Sequence, residues 1–141
     1  MHSSNAILWP VFALAFWTLC MLLLVALRRA RSGIHPREYA LGDSPKAEQA
    51  VTLANRNYMN LLELPVLFYV ACLMAYVSGT ASGVLLALAW AYVLLRVLHS
   101  LVHVSYNKVV HRFVVFVASN LVLTLLWIWL GLHVLASRSA G

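Results

Sequence analysis

Three polar residues in one short stretch have the spacing and the chemistry of a ligand-binding site. Arg56, Asn60 and Glu63 are separated by four and then three positions, so on a helix their side chains lie on one face. The stretch runs directly into an apolar segment, and a carboxylate at that depth is costly to leave against lipid. Ionisable residues in such places usually face the interior of a helix bundle or a wet cavity. The spacing therefore predicts a polar cavity on this face.

A second polar stripe precedes the last apolar segment. Arg96, His99 and His103 follow helical spacing, and Arg112 stands at the start of the next segment. Guanidinium groups bind carboxylates in a bidentate manner and stay charged when they are desolvated. A cationic, poorly hydrated pocket also favours a thiolate over a thiol. The two stripes together predict a pocket for a polyanionic cofactor beside a lipophilic substrate.

Other chemistries find less support in the sequence. His99 and His103 have the i, i+4 spacing of metal ligands, but a third protein ligand is not evident, so no metal site is predicted. Glu63 is the only acid within an apolar segment, so paired carboxylates for acid–base catalysis are missing. The sequence has no glycine-rich phosphate loop and no recognisable Ser or Cys nucleophile motif. The two histidines could also simply form hydrogen bonds across helices.

The elements that must position these residues are membrane-spanning helices. The 141 residues are 63% hydrophobic and 10% charged, with a mean hydropathy of +0.85, and a soluble domain of this size cannot bury so much apolar surface. Four apolar segments approach the roughly 20 helical residues that cross a hydrocarbon core of about 30 Å. They cover residues 8–27, 58–78, 84–104 and 112–135. We therefore predict one all-α, integral membrane domain over residues 1–141, a four-helix bundle.

The distribution of Arg and Lys predicts the orientation of the bundle. The connection between the first two segments carries most of the basic residues: Arg28, Arg29, Arg31, Arg37, Lys46 and Arg56. The connection between the last two carries Lys108 and Arg112, whereas the turn at 78–83 has no charge. By the positive-inside rule, both basic loops are expected in the cytoplasm and both termini outside. This topology and contact with anionic lipid explain the net charge of +6, so no nucleic-acid partner is predicted.

Two local features predict how the second span is built. Ser44-Pro45 is typical of a helix N-cap followed by proline at the first helical position, so a helix is expected to begin there and to run into the span. Pro65 lacks the amide that would bond to the carbonyl of Leu61. A kink is therefore expected beside Glu63.

The pattern of polar residues resembles the MAPEG superfamily, the membrane-associated proteins in eicosanoid and glutathione metabolism. The resemblance covers essentially the whole chain and rests on spaced motifs in spans two to four: Arg56-x-x-x-Asn60-x-x-Glu63 with Pro65 close behind, Arg96-x-x-His99, and Arg112. It implies a homotrimer of four-helix subunits. It also implies that glutathione binds between neighbouring protomers near the cytoplasmic face.

The resemblance further implies roles for individual residues. The glutathione-binding residues would be Arg56, Asn60, Glu63, Arg96, His99 and His103. Glu63 would bind the amino group of glutathione, and the arginines would bind its carboxylates. Arg112 would be the catalytic residue, because it matches a family arginine at the start of span four that stabilises the thiolate.

Two departures from the family pattern bear on the substrate. His103 stands where several relatives have a Tyr that contacts glutathione, and Phe116 stands where the prostaglandin E synthase branch has another Tyr. The resemblance therefore implies a general glutathione transferase or peroxidase that acts on hydrophobic electrophiles or lipid peroxides. Two alternatives stay open. One is a non-catalytic lipid-binding scaffold of the same fold, and the other is a small transporter in which Glu63 is a proton-coupled site.

Overall fold

The protein is a bundle of α-helices in the computed structural model, which describes residues 5–40 and 42–139. Its helices are α1 (Leu8–Arg31), α2 (Gln49–Leu62), α3 (Pro65–Val77), α4 (Gly83–Val104) and α5 (Val109–Ser139), with a short 3₁₀ helix at Pro36–Tyr39. The described residues form no strand. Four helical segments are long and apolar enough to cross a membrane: α1, α2 together with α3, α4, and α5. The prediction of an all-α protein with four spans is confirmed, while the termini at 1–4 and 140–141 lie outside the described residues.

The core of the bundle is apolar and includes a pair of stacked aromatic rings. The ring of Phe68 on α3 stacks on that of Tyr92 on α4, with centroids 4.8 Å apart. Ala71, Ala75 and Ala89 are fully buried in the same cluster, and small side chains allow helix backbones to approach closely. Large apolar side chains cover the outer faces of the helices. A contiguous apolar surface of this kind is the one expected against lipid.

Both connections with basic residues lie at the same end of the bundle. Arg28 near the end of α1 donates to the carbonyl of Ala50 at 2.6 Å, near the start of α2. It also donates to the carbonyl of Val104 at 3.5 Å, at the end of α4. These bonds bring three helix ends together beside the connections 32–48 and 105–108. We call this the basic end of the bundle.

The start of the second span differs from the prediction. The Ser44 hydroxyl accepts a hydrogen bond of 3.2 Å from the backbone amide of Lys46, but this bond belongs to a separate turn. Helix α2 begins only at Gln49, because Glu48 before it has an extended backbone with φ −57° and ψ 150°. The prediction that the helix begins at the serine is therefore wrong. A serine side chain can satisfy the backbone of a turn as well as that of a helix.

The predicted kink beside Glu63 is confirmed as an interruption of the helix. Helix α2 ends at Leu62 and α3 begins at Pro65. Glu63 has φ −84° and ψ −97°, outside the helical region. Because proline has no backbone N–H, Pro65 cannot donate a hydrogen bond to the carbonyl of Leu61. The second span is thus two helices, and Glu63 lies at the joint between them.

Candidate functional site

A cavity of about 800 Å³ opens at the basic end, lined by α2, α4, α5 and both connections. It is large enough for a ligand the size of a small peptide. Six of the seven predicted site residues line it: Arg56, Asn60, Glu63, His99, His103 and Arg112. The two polar stripes therefore meet at one depth, as their positions in the sequence predict.

Helix α2 presents its polar face to the cavity because its opposite face is packed in the bundle. Val51, Ala54 and Leu61 are buried on that opposite face. On the cavity side, the Arg56 side chain is largely exposed, and so is Glu63. Among the described residues, no ion pair involves the Glu63 carboxylate. This carboxylate is therefore available to a positively charged group of a ligand.

Arg112 is held in place by a residue of the turn that follows α4. Asn107 has a left-handed backbone with φ 44°, and its amide donates to the carbonyl of Val102 at 2.9 Å. Asn is one of the few residues other than Gly that adopts this conformation readily. Its side-chain oxygen accepts a hydrogen bond of 2.7 Å from the Arg112 guanidinium. The turn between α4 and α5 thus fixes a cation at the cavity wall.

The two histidines are buried in the cavity wall with unused hydrogen-bonding atoms. Nδ1 of His99 lies 3.3 Å from the carbonyl of Arg112, and because a carbonyl only accepts, this nitrogen carries the proton. The rings of His99 and His103 meet edge to face, with centroids 5.6 Å apart. Within the described part of the chain, Nε2 of His99 and both nitrogens of His103 have no partner. Buried polar atoms are normally hydrogen-bonded, so the wall fits a site that a bound polar group completes.

Arg96 is the predicted site residue that does not line the cavity. It is 1% exposed, and it donates to the Tyr92 hydroxyl and to the Asn120 side-chain oxygen, both at 3.0 Å. Its guanidinium lies 5.4 Å from the ring centroid of Phe116, a residue that does line the cavity. In this arrangement Arg96 lies behind the cavity wall, and a direct contact with a ligand stays a prediction.

A second carboxylate, which the sequence analysis did not predict, reaches the cavity from the first connection. Asp43 lines the cavity, and its Oδ2 lies 3.8 Å from Nε of Arg56. Among the described residues, the charged side chains of the lining are therefore two acids and two arginines. The lining is balanced in charge rather than cationic. No local motif marks Asp43, because only the path of the 32–48 connection brings it over α2.

The exposed part of the cavity lining includes apolar side chains. Met59, Val109 and Phe113 line the cavity and remain exposed, with Val109 and Phe113 each 63% accessible. Exposed apolar side chains therefore stand beside exposed charged ones in the lining, and we call Met59, Val109 and Phe113 the apolar rim. This combination suits a polar cofactor that meets a lipophilic partner.

The chain does not place a thiol of its own in this cavity. Cys72 is buried in the core and Cys20 is half-buried on α1, and neither lines the cavity. Within the described residues, no group of three or more His, Cys, Asp or Glu could hold a metal ion. A thiol that reacts beside Arg112 therefore has to come from a ligand.

Comparison with known families decides the affiliation. The sequence matches the MAPEG family over residues 7–132, which is nearly the whole chain and includes every residue of the cavity lining named above. The chain belongs to the MAPEG family. Comparisons of this MAPEG protein with curated proteins and with solved structures gave no match. Members of the MAPEG family are associated in general with glutathione or eicosanoid metabolism, so the affiliation is consistent with a glutathione site in the cavity.

Proposed function

We propose that this MAPEG protein is a glutathione-dependent membrane transferase or peroxidase that acts on hydrophobic electrophiles or lipid peroxides. One observation carries the proposal: Asn107 fixes the guanidinium of Arg112 at 2.7 Å in the wall of a cavity of about 800 Å³. A fixed cation is what a reactive thiolate needs in order to form at neutral pH. The family affiliation names glutathione as the thiol that fits.

The lining of the cavity offers a partner for each charged group of glutathione. Arg56 is expected to bind a carboxylate, since guanidinium and carboxylate match in geometry. Glu63 is expected to bind the amino group, and its carboxylate has no ion pair among the described residues. Asn60 and the unpaired nitrogens of His99 and His103 are expected to bind the peptide groups. Arg96, which touches the wall from behind, is expected to add positive charge.

The proposed transfer step uses Arg112 to stabilise the sulfur. The S–H bond of glutathione breaks and its proton leaves to water, and the thiolate remains beside the guanidinium. The sulfur then forms a bond to the electrophilic carbon, while the leaving group departs with the bonding electron pair. The exposed rim that includes Phe113 is expected to hold the electrophile against the membrane side of the cavity.

We also propose that three subunits assemble around such cavities, with the basic end in the cytoplasm and both termini outside. A single subunit leaves Arg56, Glu63 and the apolar rim exposed. A neighbouring subunit that packs against this side would bury these side chains. The excess of Arg and Lys at the basic end supports the orientation.

Two other functions rest on specific observations. The apolar rim favours a lipid-binding scaffold without turnover, because Val109 and Phe113 would hold an acyl chain equally well. The interruption at Glu63 favours a small proton-coupled transporter, since transporters often place their ion sites at broken helices.

Calorimetry and turnover on the purified protein in detergent separate these functions. We expect the protein to bind glutathione and to conjugate it to chlorodinitrobenzene or to reduce a lipid hydroperoxide. S-methylglutathione should bind but support neither reaction, because its sulfur has no proton to lose. Absence of glutathione binding would overturn the proposal. Binding without turnover would favour the scaffold, and proton-driven uptake of a solute into proteoliposomes would favour the transporter.

A further inference from the structure

A network of hydrogen bonds ties the first connection to α2 and fixes a carboxylate at the cavity. Asn55 donates to Oδ1 of Asp43 at 3.1 Å and to the carbonyl of Gly42 at 3.4 Å. Its own side-chain oxygen accepts from Arg29 at 2.9 Å, and Arg29 also donates to the carbonyl of Gly42. The Arg29 guanidinium lies 4.7 Å from the ring centroid of Tyr39. The end of α1, the connection and α2 therefore hold Asp43 jointly.

The backbone at this point depends on glycine. Gly42 has φ 93°, a conformation that side chains with a Cβ rarely adopt. The residue after it is Asp43, whose carboxylate accepts the hydrogen bond from Asn55 on α2.

The second oxygen of Asp43 faces the arginine that is expected to bind a ligand carboxylate. Oδ2 lies 3.8 Å from Nε of Arg56, with both residues in the cavity lining. The same connection contains another ion pair, Lys46 with Glu38 at 2.9 Å, and neither of its members lines the cavity. A carboxylate that approaches Arg56 therefore meets a negative charge already at the guanidinium, which raises the cost of binding a simple anion.

We propose that Asp43 selects ligands whose carboxylate is accompanied by an ammonium group. A zwitterion of the amino-acid type offers its carboxylate to Arg56 and carries an ammonium group, whose positive charge is attracted by Asp43 as well as by Glu63. A fatty acid offers only the carboxylate, which Asp43 repels. The selection matters at this site because the apolar rim offers contacts to the acyl chain of a simple carboxylate.

This inference rests on the proposed function and deepens it, because it assigns the discrimination between glutathione and other anions to one residue. Glu63 lies about 10 Å from Arg56 along the helix axis, at 1.5 Å per residue. If Glu63 were the only acid of the site, no negative charge would stand beside the Arg56 guanidinium. Asp43 is the acid within ion-pair distance of that arginine. Asp43 therefore acts beside the ligand carboxylate that Arg56 binds, whereas Glu63 acts farther along the helix.

The test compares Asp43→Asn with Glu38→Gln as a matched control. Asparagine has the same shape, and its oxygen still accepts from Asn55, so only the charge is removed. Glu38→Gln removes a charge from the same connection but outside the cavity. The probes are glutathione and desamino-glutathione, in which hydrogen replaces the amino group while both carboxylates and the thiol remain. Dissociation constants are measured by calorimetry on the full-length protein in detergent.

We expect the parent to prefer glutathione, and Asp43→Asn to reduce that preference by roughly two- to fivefold, the range of a solvent-accessible charge interaction. Octanoate should compete with glutathione more strongly in Asp43→Asn than in the parent. Glu38→Gln should keep the parent preference in both measurements.

Three other outcomes would contradict either the selection by Asp43 or the proposed function. A parent that binds glutathione with an unchanged preference in Asp43→Asn would overturn the inference and leave the proposed function intact. Loss of the preference only in Glu63→Gln would assign the selection to Glu63 instead. A parent that binds neither probe would overturn the proposed function and this inference together.

Discussion

Asn107 performs two tasks at once: it adopts a left-handed conformation in the turn between α4 and α5, and its side-chain oxygen accepts a 2.7 Å hydrogen bond from Arg112. Few residues combine these properties. Gly adopts the conformation but has no acceptor, and most other residues pay a steric cost there. The placement of the proposed catalytic cation is therefore linked to the conformation of the turn between α4 and α5.

The first prediction follows from this link. Asn107→Gly keeps the backbone conformation and removes only the acceptor, so thermal stability should stay near that of the parent. Turnover of chlorodinitrobenzene should fall roughly tenfold or more, because a hydrogen bond to a charged group contributes about 1.5–3 kcal/mol. The dissociation constant of glutathione should change much less, since the carboxylates are held elsewhere.

Two further variants of Asn107 distinguish an effect on the position of the Arg112 guanidinium from an effect on the stability of the fold. Asn107→Asp retains an acceptor and should keep most of the turnover. Asn107→Ala loses the acceptor and also strains the backbone by about 1–2 kcal/mol, so it should lower both turnover and the melting temperature. Parent-like turnover in Asn107→Gly would show that Arg112 needs no such support.

The second prediction concerns Arg112 itself. Arg112→Ala should lose most turnover while glutathione binding falls far less, because Arg56 still holds a carboxylate. The ultraviolet absorbance of the thiolate should appear when the parent binds glutathione and should be missing in the variant. Arg31→Ala, which removes a charge at the basic end but outside the cavity lining, is the control. If Arg112→Ala turned over normally, the stabilising role would pass to His103.

The third prediction concerns the carboxylate at the helix interruption. Glu63→Gln keeps the shape and removes the charge, so glutathione affinity should fall roughly tenfold through loss of a charge-assisted contact with the amino group. The fold should stay intact, because no ion pair among the described residues depends on Glu63. Glu48→Gln, an exposed acid at the start of α2, should bind as the parent does. Equal affinity in Glu63→Gln would remove the assigned role.

Much of the fold could be predicted because its signals are local or compositional. The length of the apolar segments predicts the four spans, and the missing amide of Pro65 predicts the interruption beside Glu63. The start of α2 could not be predicted in the same way. Ser44 shows the residue type of a helix cap, but the same side chain also closes a turn, and only the extended backbone of Glu48 decides between the two.

Some residues of the site could likewise be predicted from the sequence, and others could not. Arg56, Asn60 and Glu63 could be assigned to one face because helical spacing is visible in the sequence. Asp43 could not, because the bonds that bring it to Arg56 join residues far apart in the chain. Arg96 shares the helical spacing of its stripe, yet its donors are bonded to other residues inside the bundle. Periodicity gives the face of a helix, and it does not give the partners of each side chain.

The fourth prediction tests the orientation on which the proposed cytoplasmic site depends. Cysteines are placed at Glu48 and at Ser78, which are exposed and lie at opposite ends of the bundle. The parent is the control, since Cys20 and Cys72 lie within spans and should react poorly with a membrane-impermeant maleimide.

In sealed cells, the Ser78→Cys variant should be labelled from outside. The Glu48→Cys variant should be labelled only after the membrane is made permeable, because the excess of Arg and Lys keeps its loop in the cytoplasm. Labelling of Glu48→Cys in sealed cells together with protection of Ser78→Cys would invert the topology and place the cavity on the outer face. Glutathione is a cytoplasmic thiol in most cells, so an outer cavity would also remove its supply and weaken the transferase proposal at its base.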